Sequence, residues 1–416
     1  MGIDTPMTQP AALSPSYEGS PLSLLTVTTL FPNEVQTSHG IFVETRLRRL
    51  LETGEATGRV LAPIPWLPGF VHLPSIGPLH RVPRQTERDG LIVEHPRYLV
   101  VPKIGMTLAP FTLYRTLRRS LRRLLASGYR VDLIDAHYFY PDGVAAVWLA
   151  REFDLPVVVT ARGTDLNLIP HFRIPRRLIQ RAAAAAVGLI TVCQALKGTL
   201  VELGVPGERI CVLRNGVNLD LFRPVNRADA RGELGLERRT LGSVGHLVER
   251  KGHRHVIRAL TKLHNTDLIV VGTGPERRSL EDLARQAGVQ DRVRFLGAVD
   301  QNRLRTVYNA IDALVLASSR EGWPNVLLEA MACGTPVVAS AVWGTPEVVA
   351  APEAGVLMPS QDEAGVVSGV NRLFAAPPQR AATRRYAEGF DWEATTRGQL
   401  TLFREIVARR RLLRSA

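Results

Sequence analysis

Cysteine is scarce in this chain: three in 416 residues (Cys193, Cys211 and Cys333), none at a metal-ligand spacing. A disulfide framework and a structural zinc site are thereby disfavoured, and a reducing cytoplasm fits. Long apolar runs are missing as well, since none approaches the roughly 18 to 20 residues of a membrane-spanning helix. The opening stretch, MGIDTPMTQPAALSPSYEGSP, lacks the basic end and apolar core of a signal peptide, and its Pro, Ser and Thr content predicts a loose tail over residues 1–21. Acidic residues are outnumbered, 39 against 52 Lys and Arg, for a net charge of +13. That excess asks for an anionic partner, and charge alone does not choose among nucleic acid, an acidic membrane surface and a polyanionic substrate. There is no Asp-x-Asp to hold a metal-bound pyrophosphate. There is no complete G-x-G-x-x-G either: GTGP after the DLIVV run breaks the pattern, and no acidic residue follows at the distance NAD requires, which excludes a dehydrogenase.

What is present begins with size. A chain of 416 residues exceeds one ordinary core, and 45% hydrophobic with 22% charged residues is a globular composition, so two domains are expected. The most informative stretch is SSREGWPNVLLEAMACGTPVVAS, from Ser318. An apolar run, IDALVLAS, leads into a loop with Glu321, Gly322 and Pro324; a helix-like segment follows, then Gly334, Pro336 and a second apolar run. This reads as strand, loop, helix, strand, with the loop where open α/β sheets bind ligands and with unpaired N–H groups at the helix start suited to phosphate. Glu329 falls about one turn into the helix, on the face of Asn325. Carboxylates beside a phosphate site repel the ligand unless they accept hydrogen bonds from hydroxyls, which points to a sugar-bearing nucleotide. Taken alone, two glutamates at this spacing favour solvated side chains on an ordinary strand–helix unit. The whole string EGWPNVLLEAMACGTPVV resembles the signature of family 4 glycosyltransferases, retaining enzymes of the GT-B fold that move a sugar from a nucleotide.

Elsewhere the chain repeats the same grammar. SLLTVTTLFP, from Ser23, reads as a first strand, and its loop ends at Gly40 before a helix-like segment; an ordinary turn is the simpler reading of that glycine alone. Val60 to Pro102 is Pro-rich and broken into short apolar pieces. FTLYRTLRRSLRRLLASG places Phe111, Tyr114, Leu117, Leu121 and Leu124 on one helical face, with Arg115, Arg118, Arg119, Arg122 and Arg123 away from it. A core-facing helix with a solvated basic side and a helix resting on an anionic membrane fit equally. Two strand–loop–helix units follow from Val131, with His137 and Asp142 beyond the first strand and Arg162, Thr164 and Asp165 beyond the second, an arrangement that points polar groups into one cleft; an Arg162–Asp165 pair is the structural alternative. Asn215-Gly216 marks a turn, and the second half opens with TLGSVGHLVERKG, where Lys251 and Gly252 at a helix start suit a pyrophosphate. AVWGTPEVV carries Glu347 in a loop, and the last segment reads as a terminal helix.

The resemblance implies an α/β GT-B architecture, two Rossmann-like domains with parallel sheets facing a central cleft. Its boundaries are residues 22–223 for an acceptor-side domain, 224–390 for a donor-binding domain and 391–416 for a helix crossing back to the first. It implies donor contacts at Gly40, Gly245, His246, Arg250, Lys251, Gly322, Trp323, Pro324, Asn325, Val326, Leu327 and Glu329, and catalytic positions at Glu321, His137, Arg162 and Asp165. The chain departs from the family in two places: Arg162 stands where histidine is common, and His246 where arginine is usual, leaving Arg250 to supply permanent charge. The implied activity is transfer of a hexose-type sugar from a UDP- or GDP-sugar, with retention and without metal or cofactor. The acceptor is a glycan or lipid-linked molecule in cell-surface polysaccharide or glycolipid synthesis, similar to teichuronic acid and exopolysaccharide transferases. Nucleic acid is not an expected partner, and the expected location is cytoplasmic or peripheral on the inner membrane face through the five arginines. Two alternatives stay open: a nucleotide-sugar 2-epimerase of the same fold, and a binding-only relative.

Overall fold

A computed structural model describes residues 20–67, 77–100 and 105–415; the tail expected over residues 1–21 lies outside them up to residue 19. Two twisted sheets organise the chain. The first has eight strands in the order Ile210–Val212, Gly188–Thr191, Val157–Ala161, Leu133–His137, Leu22–Val27, Ala56–Leu61, Leu91–Glu94 and Gln85–Arg88. All neighbours in it are parallel except the last pair, an antiparallel hairpin at the edge. The second has six parallel strands in the order Val293–Gly297, Thr266–Val271, Arg239–Val244, Ala313–Leu316, Val337–Ser340 and Gly355–Met358. The central strands are Val-, Leu- and Ile-rich and nearly continuous in burial, as parallel strands covered by helices on both faces must be.

The strand order fixes where a ligand can go. In the second sheet Arg239–Val244 is flanked by a strand that follows it directly and by Ala313–Leu316, which arrives after two further strands. At that reversal the two outgoing loops separate to opposite faces and leave a crevice at the carboxyl ends. The loops are Gly245–Gly252 and Ala317–Pro324, which carry Lys251 and Glu321. The first sheet has the same reversal between Leu22–Val27 and Leu133–His137, so the loops that hold Gly40 and Tyr138–Gly143 flank its crevice.

The Glu393–Ser415 helix buries Leu400, Phe403 and Val407 against Leu22, Leu24, Val158 and Ile190 of the first sheet. Asn215 and Gly216 lie in an irregular segment without a turn, and Gly216 is small because the Asp391–Trp392 backbone runs against it. The basic helix starts earlier than the apolar stripe suggests, at Gly105, and runs to Ala126 with Leu113, Leu117, Leu121 and Leu124 buried. Phe111, placed on that stripe by periodicity, is 49% exposed. Among the described residues no helix is long and apolar enough to cross a membrane.

Candidate active site

The two crevices face each other, and their backbones touch. A side chain on Gly322 would collide with the carbonyl of Arg162, and the Cα of Gly322 lies against Gly163, so the Glu321 loop fits onto the Arg162 loop only because both carry glycine there. The indole of Trp323 donates to the Asn215 carbonyl (2.9 Å), and the Asn215 amide donates to Asn325 Oδ1 (3.3 Å). Trp323, Pro324 and Leu327 are buried; Asn325 and Val326 are half-buried at the start of the Asn325–Ala332 helix.

At this junction the Lys251 Nζ donates to Glu321 Oε1 at 2.5 Å, with both side chains largely buried. Lys251 ends a tight turn and Gly252 opens the His253–Ala259 helix, while the Lys251 stem lies over Gly245. Arg250 presents its carbonyl to the Ser319 N–H (2.7 Å), which staples the two switch-point loops together. Its side chain, with His246, Arg254 and Arg320, lines a cavity of about 530 Å³. One turn into its helix, the carboxylate of Glu329 accepts from the Tyr308 hydroxyl (2.9 Å). Burial pushes the Glu329 carboxyl up to about 7, against the lowering effect of that hydrogen bond. Glu329 and Asn325 face Ile41, Phe42 and Thr45 of the helix capped by Gly40 across a small cavity.

The first-domain candidates lie deeper than strand-end positions suggest. His137, Asp142 and Asp165 are fully buried and Arg162 is 8% exposed. The Arg162–Asp165 side-chain pair, the structural alternative for these residues, does not form. Asp165 instead accepts the backbone N–H groups of Phe139 (2.7 Å), Arg162 (3.1 Å) and Gly163 (2.6 Å), which fixes two loops. The Arg162 guanidinium donates to Asn215 Oδ1 (2.9 Å) and to His137 Nδ1 (2.7 Å), and stacks over Phe42. Accepting at Nδ1 leaves His137 its proton on Nε2, 3.1 Å from Asp135. Burial, with Arg162 and Arg46 nearby, lowers His137 to about 4 despite Asp135, so the imidazole is neutral. Asp142 accepts from the Thr29 N–H (2.5 Å) and hydroxyl (3.0 Å), and burial pushes it up to about 8.

Several members of this site carry no local sequence signal. Asn215, Tyr308 and Gly163 are brought in by the fold across 53, 21 and 159 residues from Arg162, Glu329 and Gly322 respectively. Glu347 lies in a short helix rather than a loop, and its carboxylate caps the Gln194 N–H (2.7 Å) and pairs with Arg214 (2.7 Å). Among the described residues no three His, Cys, Asp or Glu side chains gather as a metal-holding group.

The sequence matches two families: glycosyltransferase family 4 over residues 76–221 and glycosyl transferases group 1 over residues 226–390. It is 33% identical over 306 residues to a D-inositol 3-phosphate glycosyltransferase of Frankia alni, covering 67% of this chain and 75% of that one. The fold is similar to sucrose-phosphate synthase from Thermosynechococcus elongatus, with a TM-score of 0.77 and 22% identity over 93% of this chain and 99% of the other. It is also similar to Anabaena HepE in complex with UDP-glucose, with a TM-score of 0.69 and 19% identity over 91% and 98%.

Proposed function

The chain belongs to the family 4 glycosyltransferases of the GT-B fold, and from that premise we propose a hexosyltransferase that uses a nucleoside-diphosphate sugar and retains anomeric configuration. The observation that carries the proposal is the Lys251–Glu321 pair at the contact of the two crevices, with Glu329 one helical turn behind it. Glu321 and Glu329 each accept from hydroxyls of the donor, and Lys251, paired with Glu321, supplies the cation. Glu329, walled in beside Tyr308, takes the ribose; Glu321 exchanges its bond to Lys251 for hydroxyls of the transferred sugar, freeing Lys251 for the diphosphate.

In the reaction the acceptor oxygen bonds to the anomeric carbon as the bond from that carbon to the phosphate oxygen breaks. The electron pair leaves with the diphosphate, and the acceptor proton passes to it. Lys251, Arg250 and the positive end of the Asn325–Ala332 helix dipole stabilise the charge that develops. His137 and Arg162 position the first-domain wall through Asn215, and Asp165 holds the Arg162 loop. The acceptor-side unit is residues 22–223, the donor-side unit 224–390, and the last helix from 391 closes onto the first. The acceptor is a glycan or lipid-linked molecule of cell-surface synthesis. The Frankia relative's name favours a second acceptor class, a phosphorylated cyclitol.

The test is incubation of purified protein with a panel of UDP- and GDP-sugars, each with and without polyprenyl-linked, glycan and inositol phosphate acceptors. Glycoside formed with the donor's anomeric configuration, undiminished by excess chelator, is expected. Conversion of a nucleotide sugar to its 2-epimer without acceptor would replace the transferase by an epimerase, and donor binding without either product would leave a binding protein.

A further inference from the structure

The arginines of the Gly105–Ala126 helix divide into two sets with different surroundings. Arg118 and Arg122 both donate to Glu152 (2.6 and 3.0 Å), so each is engaged by a carboxylate within the fold. Arg119 and Arg123, one turn apart on the adjoining face, line a separate cavity of about 240 Å³. Arg84, at the start of the edge hairpin, and Arg97, on the Arg97–Leu99 strand, close it from the other side. Among the described residues none of these four guanidinium groups has a carboxylate within ion-pair distance. Arg97 spends its N–H groups on the carbonyls of His95 and Val82, which fix it in place without neutralising it. Burial and the neighbouring Arg84 both disfavour the charge on Arg97. Arg123 donates to the buried Ser120 hydroxyl (3.3 Å), which keeps it over the cavity. Among the described residues the lining has one carboxylate, Glu94, against four cations.

Like charges gathered around a concavity repel one another, and a fold tolerates that where an anion completes the set. Planar guanidinium forks suit the oxygens of a phosphate group. The cavity is smaller than the roughly 300 to 1,000 Å³ of pockets that enclose whole organic ligands, so it fits a phosphate or diphosphate group and not a complete nucleotide sugar. It is formed by the edge hairpin, the short Arg97 strand and the outer face of the helix, and shares no lining residue with the Lys251–Glu321 site.

We propose that Arg84, Arg97, Arg119 and Arg123 form a second anion site that binds a phosphomonoester or diphosphate group, separate from the donor cleft. The group is carried by a soluble phosphate compound or by a lipid headgroup. Inorganic pyrophosphate titrated calorimetrically into full-length Arg250→Ala/Lys251→Ala protein, whose cleft site is disabled, is expected to show one remaining site. Adding Arg119→Ser/Arg123→Ser should weaken that site by about tenfold or more, the loss expected for charged hydrogen bonds. Adding Arg118→Ser/Arg122→Ser instead should leave it unchanged. Both pairs of arginines are surface residues, and thermal unfolding checks that each variant folds. Sedimentation with phosphatidic acid vesicles separates the sources: binding displaced by pyrophosphate assigns a headgroup, and no binding beside an intact pyrophosphate isotherm assigns a soluble phosphate. Absence of the second isotherm in the Arg250→Ala/Lys251→Ala protein, or its persistence in Arg119→Ser/Arg123→Ser, overturns the proposal. Neither result touches donor binding in the wild-type cleft, so the transferase assignment stands or falls by its own assay.

Discussion

Two carboxylates eight positions apart in sequence experience opposite surroundings. Glu321 is held by a cation, whereas Glu329 accepts from a phenol and is driven up to about 7 by burial. Removing Glu321 releases Lys251, so Glu321→Ala should bind a nucleoside diphosphate as well as wild type or better while turnover falls on the order of 100-fold. Glu329→Ala should instead lose nucleotide binding by about 1.5 to 3 kcal/mol, the value of a hydrogen bond to a charged group; equal affinity in wild type and Glu329→Ala removes Glu329 from the ribose. The raised carboxyl also gives a sign for pH. A group protonated more readily when folded weakens the fold as pH rises from its unfolded value of 4.5 to about 7, and the loss is complete above that. The ionised form is the better double acceptor, so nucleotide affinity should rise several-fold as pH passes through about 7. Glu329→Gln cannot titrate, and its affinity measured in parallel removes the contribution of the ligand's own phosphate. Arg250→Ala should weaken a nucleoside diphosphate more than the bare nucleoside, because Arg250 lines the cationic cavity rather than the Glu329 side.

At the scale of elements, alternation of apolar runs with helical periods made the parallel sheets legible, because a strand buried on both faces has a continuous apolar composition. The string around Glu321 was legible for the same local reason: strand end, loop and helix start lie within about ten residues. Contacts such as Tyr308 to Glu329 or Asn215 to Trp323 were not, since the first needs the register between two successive helices and the second joins two loops 108 residues apart. The basic helix shows both outcomes. Its leucine stripe is read from periodicity, but nothing near it announces Glu152, which pairs with both Arg118 and Arg122 from the next helix. If this helix rests on an anionic membrane, the contact belongs to Arg115, Arg119 and Arg123 with the exposed Met106, Leu108 and Phe111. Each arginine without a carboxylate partner contributes about 1 kcal/mol near such a surface, screened by salt. Co-sedimentation with phosphatidylglycerol vesicles should therefore fall steeply with salt, and Arg115→Ser/Phe111→Ser should lower it more than Arg118→Ser/Arg122→Ser. Equal effects, or no binding at low salt, remove the membrane contact from this helix.

At the scale of the molecule, the two sheets are joined by more than covalent crossings. Glu347, from the second, caps the start of the Gln194–Glu202 helix on the first and pairs with Arg214, which itself stacks over Trp323. A carboxylate at a helix N-terminus satisfies unpaired N–H groups and the helix dipole together. This contact sits at the rim of the junction where Gly322 meets Arg162, so it holds the Glu321 loop against the first-domain wall by holding the bodies that carry them. Glu347→Ala should then lower stability by about 1 to 3 kcal/mol, the range for leaving charged and capping partners unpaired. It should also increase the radius of gyration of the ligand-free protein in solution scattering. A nucleoside diphosphate that bridges Lys251 and the first-domain loops should reverse that expansion, and Glu347→Gln, which still accepts an N–H, should show a smaller one. Scattering identical to wild type in Glu347→Ala, with stability lowered as expected, would mean that Glu347 caps its helix without governing how the two halves meet.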